Sequence, residues 1–497
     1  MRGAPSAAVA LSAILALMVP SLSSAADTWL EIKSPNFVVL SNTNERRARD
    51  VAWQFEQIRA ALLAGWPWAR ARLDRPVQVI AVKDEDTMKA LAPRYWEQRG
   101  ATRPTSVFVT APDRHYIALR ADIQGDGEVN VNPYFSSYWS YSALALNAAF
   151  DADLPLWFRN GLAGVLSNSM VRNNEIRFGL SVPWYHQDIV TQGRLRLTAL
   201  LTTTSSSPYY TSSASRDLFD AQAWGLMHYM LFGQNDQVDR VNAVAKLLLS
   251  GTPSVAAVTE VFGSLDALEQ GYIQYLRKPL FPYSRLKTET KIVAKDFTVR
   301  TVAEPDAAAG RAGFLATTGR AAEARALVAE ARKAATPPVA SFEAEAILLD
   351  LEGKRDDARS AFLKAEELGS ANFFVHYRLA TLTLPTTVDP PALAAVDKRL
   401  RRAAELNDVH VPTLTLLANV LAQEGQGAEA VTFATKAVRL EPADSQTRLS
   451  LARGLWAAAR RDEASGHARA AMSLAKSDEE RRQVQELLAF FTRSTPR

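Results

Sequence analysis

The stretch YWSYSALALNAAFDADLPLWFRNGLAG, Tyr138 to Gly164, sets two apolar runs on either side of Asp151-Ala152-Asp153-Leu154-Pro155. Both runs have helical spacing, from about Tyr134 to Phe150 and from Trp157 to Ser167. The proline-containing segment between them turns the chain. The stretch holds no histidine, glutamate or cysteine. A helix–turn–helix this apolar belongs to a core, and the side chains that usually hold a helix-borne catalytic metal are missing from it.

Upstream, the chain alternates strand and helix signals. Phe37-Val38-Val39-Leu40 reads as a buried strand. Val51, Phe55, Ile58 and Leu62 then recur at helical spacing behind the capping candidates Asn42-Thr43-Asn44. Val77, Val79 and Ala81 alternate as a strand, and Glu85 to Glu97 reads as one helix. Val107 to Val109 and Tyr116 to Leu119 form a strand pair about the turn Ala111-Pro112-Asp113-Arg114. Beyond the Gly125-Asp126-Gly127 loop the character is helical, with runs at Arg216 to Phe232, Val238 to Leu249 and Leu265 to Leu276 and a short strand at Glu175 to Leu180. The Ser/Thr-rich stretch Thr202 to Thr211 reads as a mobile loop.

Composition shifts near Pro305. Every tryptophan except Trp456 lies before it, and alanine, arginine and glutamate dominate after it. Ala418, Ala430, Ala434 and Ala437 have counterparts 34 residues on at Ala452, Ala464, Ala468 and Ala471. Ala324, Val328 and Ala331 relate to Ala358, Phe362 and Ala365 by the same period. Small residues at this spacing resemble the tetratricopeptide pattern, in which paired antiparallel helices pack closely. Pro385 and Pro390-Pro391 interrupt the period between Phe373 and Asn407, marking a degenerate repeat or an insertion.

Residues 1–26 read as a signal peptide: Met1-Arg2, an apolar run from Ala7 to Val19, then the small residues Ser24-Ala25-Ala26. That run is short for a membrane span, and no later segment reaches spanning length. The expected address is therefore the periplasm, with secretion as the alternative. With no cysteine anywhere, disulfides, thiolate metal sites and cysteine nucleophiles are excluded. A net charge of +4 over 497 residues carries no concentrated basic patch, so no nucleic-acid partner is expected.

Several short stretches between Trp29 and Lys278 resemble the peptidase-MA-like family of zincin-type proteins by their order: Ser34-Pro35-Asn36-Phe37, Pro76-Val77-Gln78-Val79, Asp113-Arg114-His115-Tyr116, Leu154-Pro155-Leu156-Trp157, Gly161-Leu162-Ala163, Ser207-Pro208-Tyr209-Tyr210 and Ala221-Gln222-Ala223-Trp224. Members that look active carry HExxH, two histidines on one helix face sharing a zinc with a glutamate as general base, and a later glutamate as third ligand. Aligned on Asn132-Pro133-Tyr134 and Leu154 to Trp157, the resemblance places the histidines at Trp139 and Ala143 and the base at Ser140. The third ligand falls at Asn160 and the following glutamate at Gly164. Every functional element is replaced.

The six histidines include no pair within five residues. His115 and His228 read as structural, and His186 is the one placed among groups able to bind or transfer protons. No G-x-S-x-G elbow, phosphate loop or calcium motif occurs.

The sequence thus predicts an α+β zincin-like domain over residues 27–284, a linker over 285–304, and an all-α tetratricopeptide-like solenoid over 305–495. The implied role is a catalytically inactive, exported binding or scaffolding protein without cofactor or metal, whose repeats take a protein partner. The remodelled cleft, lined by Tyr138, Trp139, Tyr141 and Asn160 with His186, Tyr209 and Tyr210 near it, is a candidate peptide or glycan contact. The alternative is a metal-independent hydrolase using Ser140, Ser142 or His186.

Overall fold

The computed structural model describes residues 27–69, 73–97, 103–123, 131–148, 154–172, 175–233, 237–287, 292–385 and 389–493. The expected signal peptide and the Gly125–Gly127 loop lie outside them.

Six strands form the main sheet: β1 (Trp29–Lys33), β2 (Phe37–Ser41), β3 (Val77–Val82), β4 (Ser106–Thr110), β5 (His115–Arg120) and β9 (Thr298–Val302), in the order β4-β5-β3-β2-β1-β9. Strands β2, β3 and β5 run parallel, with Phe37 beside Val77 and Val77 beside His115. Parallel strands need a crossover, and the helix Glu45–Gly65 supplies the one between β2 and β3. Asn44 caps it by accepting from the Arg47 backbone N–H at 2.9 Å. Its predicted face, Val51, Phe55, Ile58 and Leu62, is fully buried.

Both faces of the sheet are covered. Val39, Val79 and Ile117 pack beneath Glu45–Gly65 and the following helices. On the other face, Leu40, Ile80 and Ala118 pack with Met88, Leu91 and, from the far side of the sequence, Ala307 and Phe314. Period-2 alternation sends neighbouring residues to opposite faces, and because both are buried the strands read as continuous apolar runs. The helix expected over Glu85 to Glu97 is two short ones, Glu85–Leu91 and Arg94–Glu97, split where Pro93 cannot donate a backbone hydrogen bond.

The helices Phe135–Asn147, Leu156–Ser167, Ser213–Phe232, Val238–Leu249 and Leu265–Tyr275 lie close to their predicted positions. Pro183–Gln192, Leu197–Thr202 and Ser254–Phe262 are further helices, and Pro208–Thr211 forms a turn of helix inside the stretch read as a loop. Strands β6 (Met170–Arg172), β7 (Glu175–Phe178) and β8 (Ser284–Lys287) make a second, antiparallel sheet.

The described parts of the segment read as a linker, residues 285–287 and 292–304, include two strands. β8 pairs with β7, and β9 closes the main sheet against β1, where Arg300 forms a two-bond ion pair with Glu31. The helix Glu304–Thr317 then lies on the sheet, with Phe314 edge-on to Tyr116 at 5.7 Å between ring centroids. The two regions share a core and are not strung on a free tether.

From Glu304 onward the helices pair: Glu304–Thr317 with Ala321–Ala331, Val339–Leu351 with Arg355–Glu367, Phe373–Thr383 with Pro390–Leu406, Val411–Gln423 with Gly427–Leu440, and Ser445–Ala457 with Arg461–Leu474. Asp478–Arg493 follows, its Phe491 stacked on Trp456 at 4.2 Å. Ala418, Ala430, Ala434, Ala437 and their counterparts are all fully buried, because small side chains let the paired helices approach. Pro390-Pro391 begins a helix instead of breaking one, since a proline in the first turn lacks only a donor that would be unpaired anyway.

Candidate functional site

The two helices of the opening stretch meet different neighbours. Phe135–Asn147 turns Tyr138 and Tyr141 inward. Tyr138 is fully buried, donates its hydroxyl to Gln54 Oε1 at 2.6 Å, and lies edge-on to Phe55. Tyr141 is edge-on to Phe37 and Phe55. These two rings, expected in a cleft beside Trp139 and Asn160, are core residues, because their face of the helix packs on the sheet side of the domain. Trp139 and Ser140 are half-buried, and Ala143 is buried. The Trp139 indole N–H is buried without a hydrogen-bond partner among the described residues.

Leu156–Ser167 packs along Ser213–Phe232. At Gly161 a Cβ would stand 2.5 Å from the Ala223 carbonyl oxygen, and at Gly164 it would stand 3.2 Å from Trp224 Cβ. The position the resemblance gives to a glutamate is thus a glycine that admits a tryptophan. Trp224 in turn joins an aromatic cluster with Tyr185, His228 and Phe281. His186 closes that cluster against Phe281, and its Nε2 bonds the Leu276 carbonyl at 2.9 Å.

Asn160, at the third-ligand position, is fully buried and fully bonded. Its amide nitrogen donates to Asp220 Oδ1 at 2.6 Å and to the Tyr210 hydroxyl at 3.1 Å, while its oxygen accepts from Arg159 Nε at 2.8 Å. Burial pushes the Asp220 carboxyl up to about 6, against the opposing pull of Asn160 and Arg159. The Ser/Thr-rich stretch therefore reaches this site through Tyr210, while the adjacent Tyr209 is 46 % exposed. Sequence reasoning missed Asp220. Its one signal was a carboxylate set between the apolar Phe219 and Ala221, one turn after Asp217 on the same helix.

The three residues of the hydrolase alternative have separate surroundings. Ser142 is fully buried with an unpartnered hydroxyl, and Ser140 makes no hydrogen bond among the described residues. His186 faces a carbonyl, so the three residues form no nucleophile–base pair with each other. His228 is buried between Tyr275 Oη (2.8 Å) and the Gly179 carbonyl (2.7 Å), and burial lowers it to about 4. His115 bonds Thr110 Oγ1 and Asp74 Oδ1. Among the described residues, no three His, Asp or Glu side chains are grouped so as to hold a metal ion. Likewise, no described helix is long and apolar enough to cross a membrane.

No family model matches the chain, and no curated protein matches it. Among solved structures, the chain is similar to YrrB, a TPR protein with an unusual peptide-binding site, at 17 % identity and TM-score 0.31, over 36 % of this chain and 91 % of that one. It is also similar to TTC0263, a thermophilic TPR protein of Thermus thermophilus, at 18 % identity and TM-score 0.25, over 38 % and 98 %. A third likeness is to yeast Tom70, at 14 % identity and TM-score 0.27, over 59 % and 66 %. With TM-scores this low, the helical-repeat architecture stands on the chain's own 34-residue period and paired helices.

Proposed function

We propose that this chain is an exported binding or scaffolding protein of the cell envelope, whose N-terminal domain retains a zincin-type frame without its chemistry. The observation that carries this reading is Asn160, whose amide is saturated by Arg159, Tyr210 and Asp220 where the frame would need a free carboxylate. Gly164 supports it, since its lack of a side chain is used for packing against Trp224. Stacked helix pairs present extended surfaces suited to protein segments, which makes a protein the favoured partner.

Elemental analysis of the purified chain, combined with a peptide-cleavage assay, tests the reading. The expected result is no stoichiometric zinc and no cleavage. One zinc per chain whose chelation abolished cleavage would overturn it.

A further inference from the structure

Three half-buried arginines of the repeats take a carboxylate from their own chain. Arg378 holds both oxygens of Asp350, at 2.7 and 2.8 Å. Arg399 holds both oxygens of Glu366, and Arg332 both oxygens of Glu345. Arg453 is also half-buried, but no carboxylate pairs with it among the described residues.

Arg453 lies on Ser445–Ala457, and Asn419 holds the equivalent place, 34 residues earlier, on Val411–Gln423. These first helices of the last two pairs lie side by side, with Ser450 Oγ donating to the Thr415 carbonyl at 3.1 Å. Arg453 Nη1 donates to Asn419 Oδ1 at 3.4 Å, a long bond and its only one among the described residues. Arg453 Nε and Nη2 and Asn419 Nδ2 donate to nothing there, and none of the three is sealed from solvent. Burial pulls the Arg453 pKa below its ordinary value, and no acid opposes that pull. A desolvated guanidinium without a counterion is costly, and a carboxylate accepting two parallel bonds offsets the cost.

We propose that the seam between these two helices takes a side-chain carboxylate of the protein partner, held by Arg453 Nε and Nη2 and by Asn419 Nδ2. The proposal rests on the reading of the repeats as a protein-binding surface and names what they select, an acidic residue in the bound segment. One guanidinium beside a neutral amide carries a single positive charge, which matches a carboxylate and falls short of a phosphate dianion.

The test is isothermal titration of the purified full chain with N-acetyl-Ala-Leu-Glu-Leu-Ala amide, whose one charge is its glutamate, and with the same peptide carrying glutamine or phosphoserine there. The glutamate peptide is expected to bind at least about tenfold more tightly than the glutamine peptide. Arg453→Gln is expected to make the two bind equally, and Asn419→Ala to weaken the glutamate peptide several-fold. Thermal unfolding checks that the variants fold, and Arg453→Gln should melt no lower than the wild type. Should it not fold, Arg453→Lys, which keeps the charge and loses the fork, is expected to weaken the glutamate peptide several-fold. Equal binding of the glutamate and glutamine peptides to the wild type would overturn the proposal while leaving a protein-binding surface in place. Binding of neither at millimolar concentration would overturn it and count against that surface as well. So, for the proposal alone, would tighter binding of the phosphoserine peptide, or a preference for glutamate that persisted in folded Arg453→Gln.

Discussion

Asn160 and Asp220 are joined by a 2.6 Å hydrogen bond from amide to carboxylate, across the helix pair Leu156–Ser167 and Ser213–Phe232. The bond forms an internal clasp at the position the peptidase resemblance gives to a metal ligand. It also leaves a carboxylate in surroundings that disfavour its charge.

That carboxylate makes stability depend on pH in a definite sense. Asp220 titrates at about 6 in the folded chain and at the ordinary 3.8 when unfolded. The folded state thus holds the proton more tightly, and this group's penalty is fully present above pH 6 and fades as pH falls toward 4. Asp220→Asn is expected to stabilise the chain by about 1–2 kcal/mol at pH 7, allowing for partial solvent screening. The gain should vanish near pH 4. Urea unfolding of both chains at several pH values measures the difference, and a pH-independent difference would count against it.

Introducing the glutamate that the resemblance implies should not create a metal site. Asn160→Glu puts a second carboxylate beside Asp220 and removes the amide that clasps it. It is expected to cost about 2–4 kcal/mol at neutral pH. Added zinc should not raise its melting temperature, because Trp139 and Ala143 offer no ligands. A zinc-dependent rise would show that the chain can still assemble a metal centre.

The two glycines of Gly161-Leu162-Ala163-Gly164 should differ under the same substitution. A Cβ at Gly161 meets rigid backbone at 2.5 Å, whereas at Gly164 it meets a side chain at 3.2 Å. Gly161→Ala is expected to cost about 3 kcal/mol and Gly164→Ala about 1 kcal/mol or less, compared by thermal unfolding. The reverse order would mean that Trp224 is the less yielding neighbour.

Phe314 belongs to the first repeat helix but fills the core beneath the sheet, fully buried. Phe314→Ala is expected to destabilise by about 3–5 kcal/mol. Because Arg320–Glu97 and Asn372–Asp113 also bridge the two regions, the loss should appear in both. Hydrogen exchange of β5 and of the helix Ala321–Ala331 reads the two separately. Loss of protection in the helix alone would show that the regions unfold independently.

Much of this molecule was legible because its signals are local. The apolar faces of Glu45–Gly65 and Val238–Leu249 lie within one helix's length, and so do the alanines that pack each helix pair. The lack of histidine and glutamate from Tyr138 to Gly164 needed no coordinates. Other features depend on partners far along the chain. The segment at Thr298–Val302 looked like a linker because nothing near it pairs, yet it closes the sheet against β1, and Arg300 finds Glu31 269 residues away. Tyr141 read as a cleft residue until Phe37 and Phe55 claimed its ring. Asn160 read as an empty ligand position until residues 50 and 60 positions on supplied Tyr210 and Asp220. Sequence by itself determined the apolar faces of the longer helices, the central strands, the 34-residue repeat, and that Tyr138 to Gly164 carries no histidine or glutamate ligand, because periodicity and residue type act over a few residues. Only the tertiary structure decided what surrounds Asn160 and Gly164 and where the two regions join, because burial and polar satisfaction are settled by neighbours that folding brings from far apart.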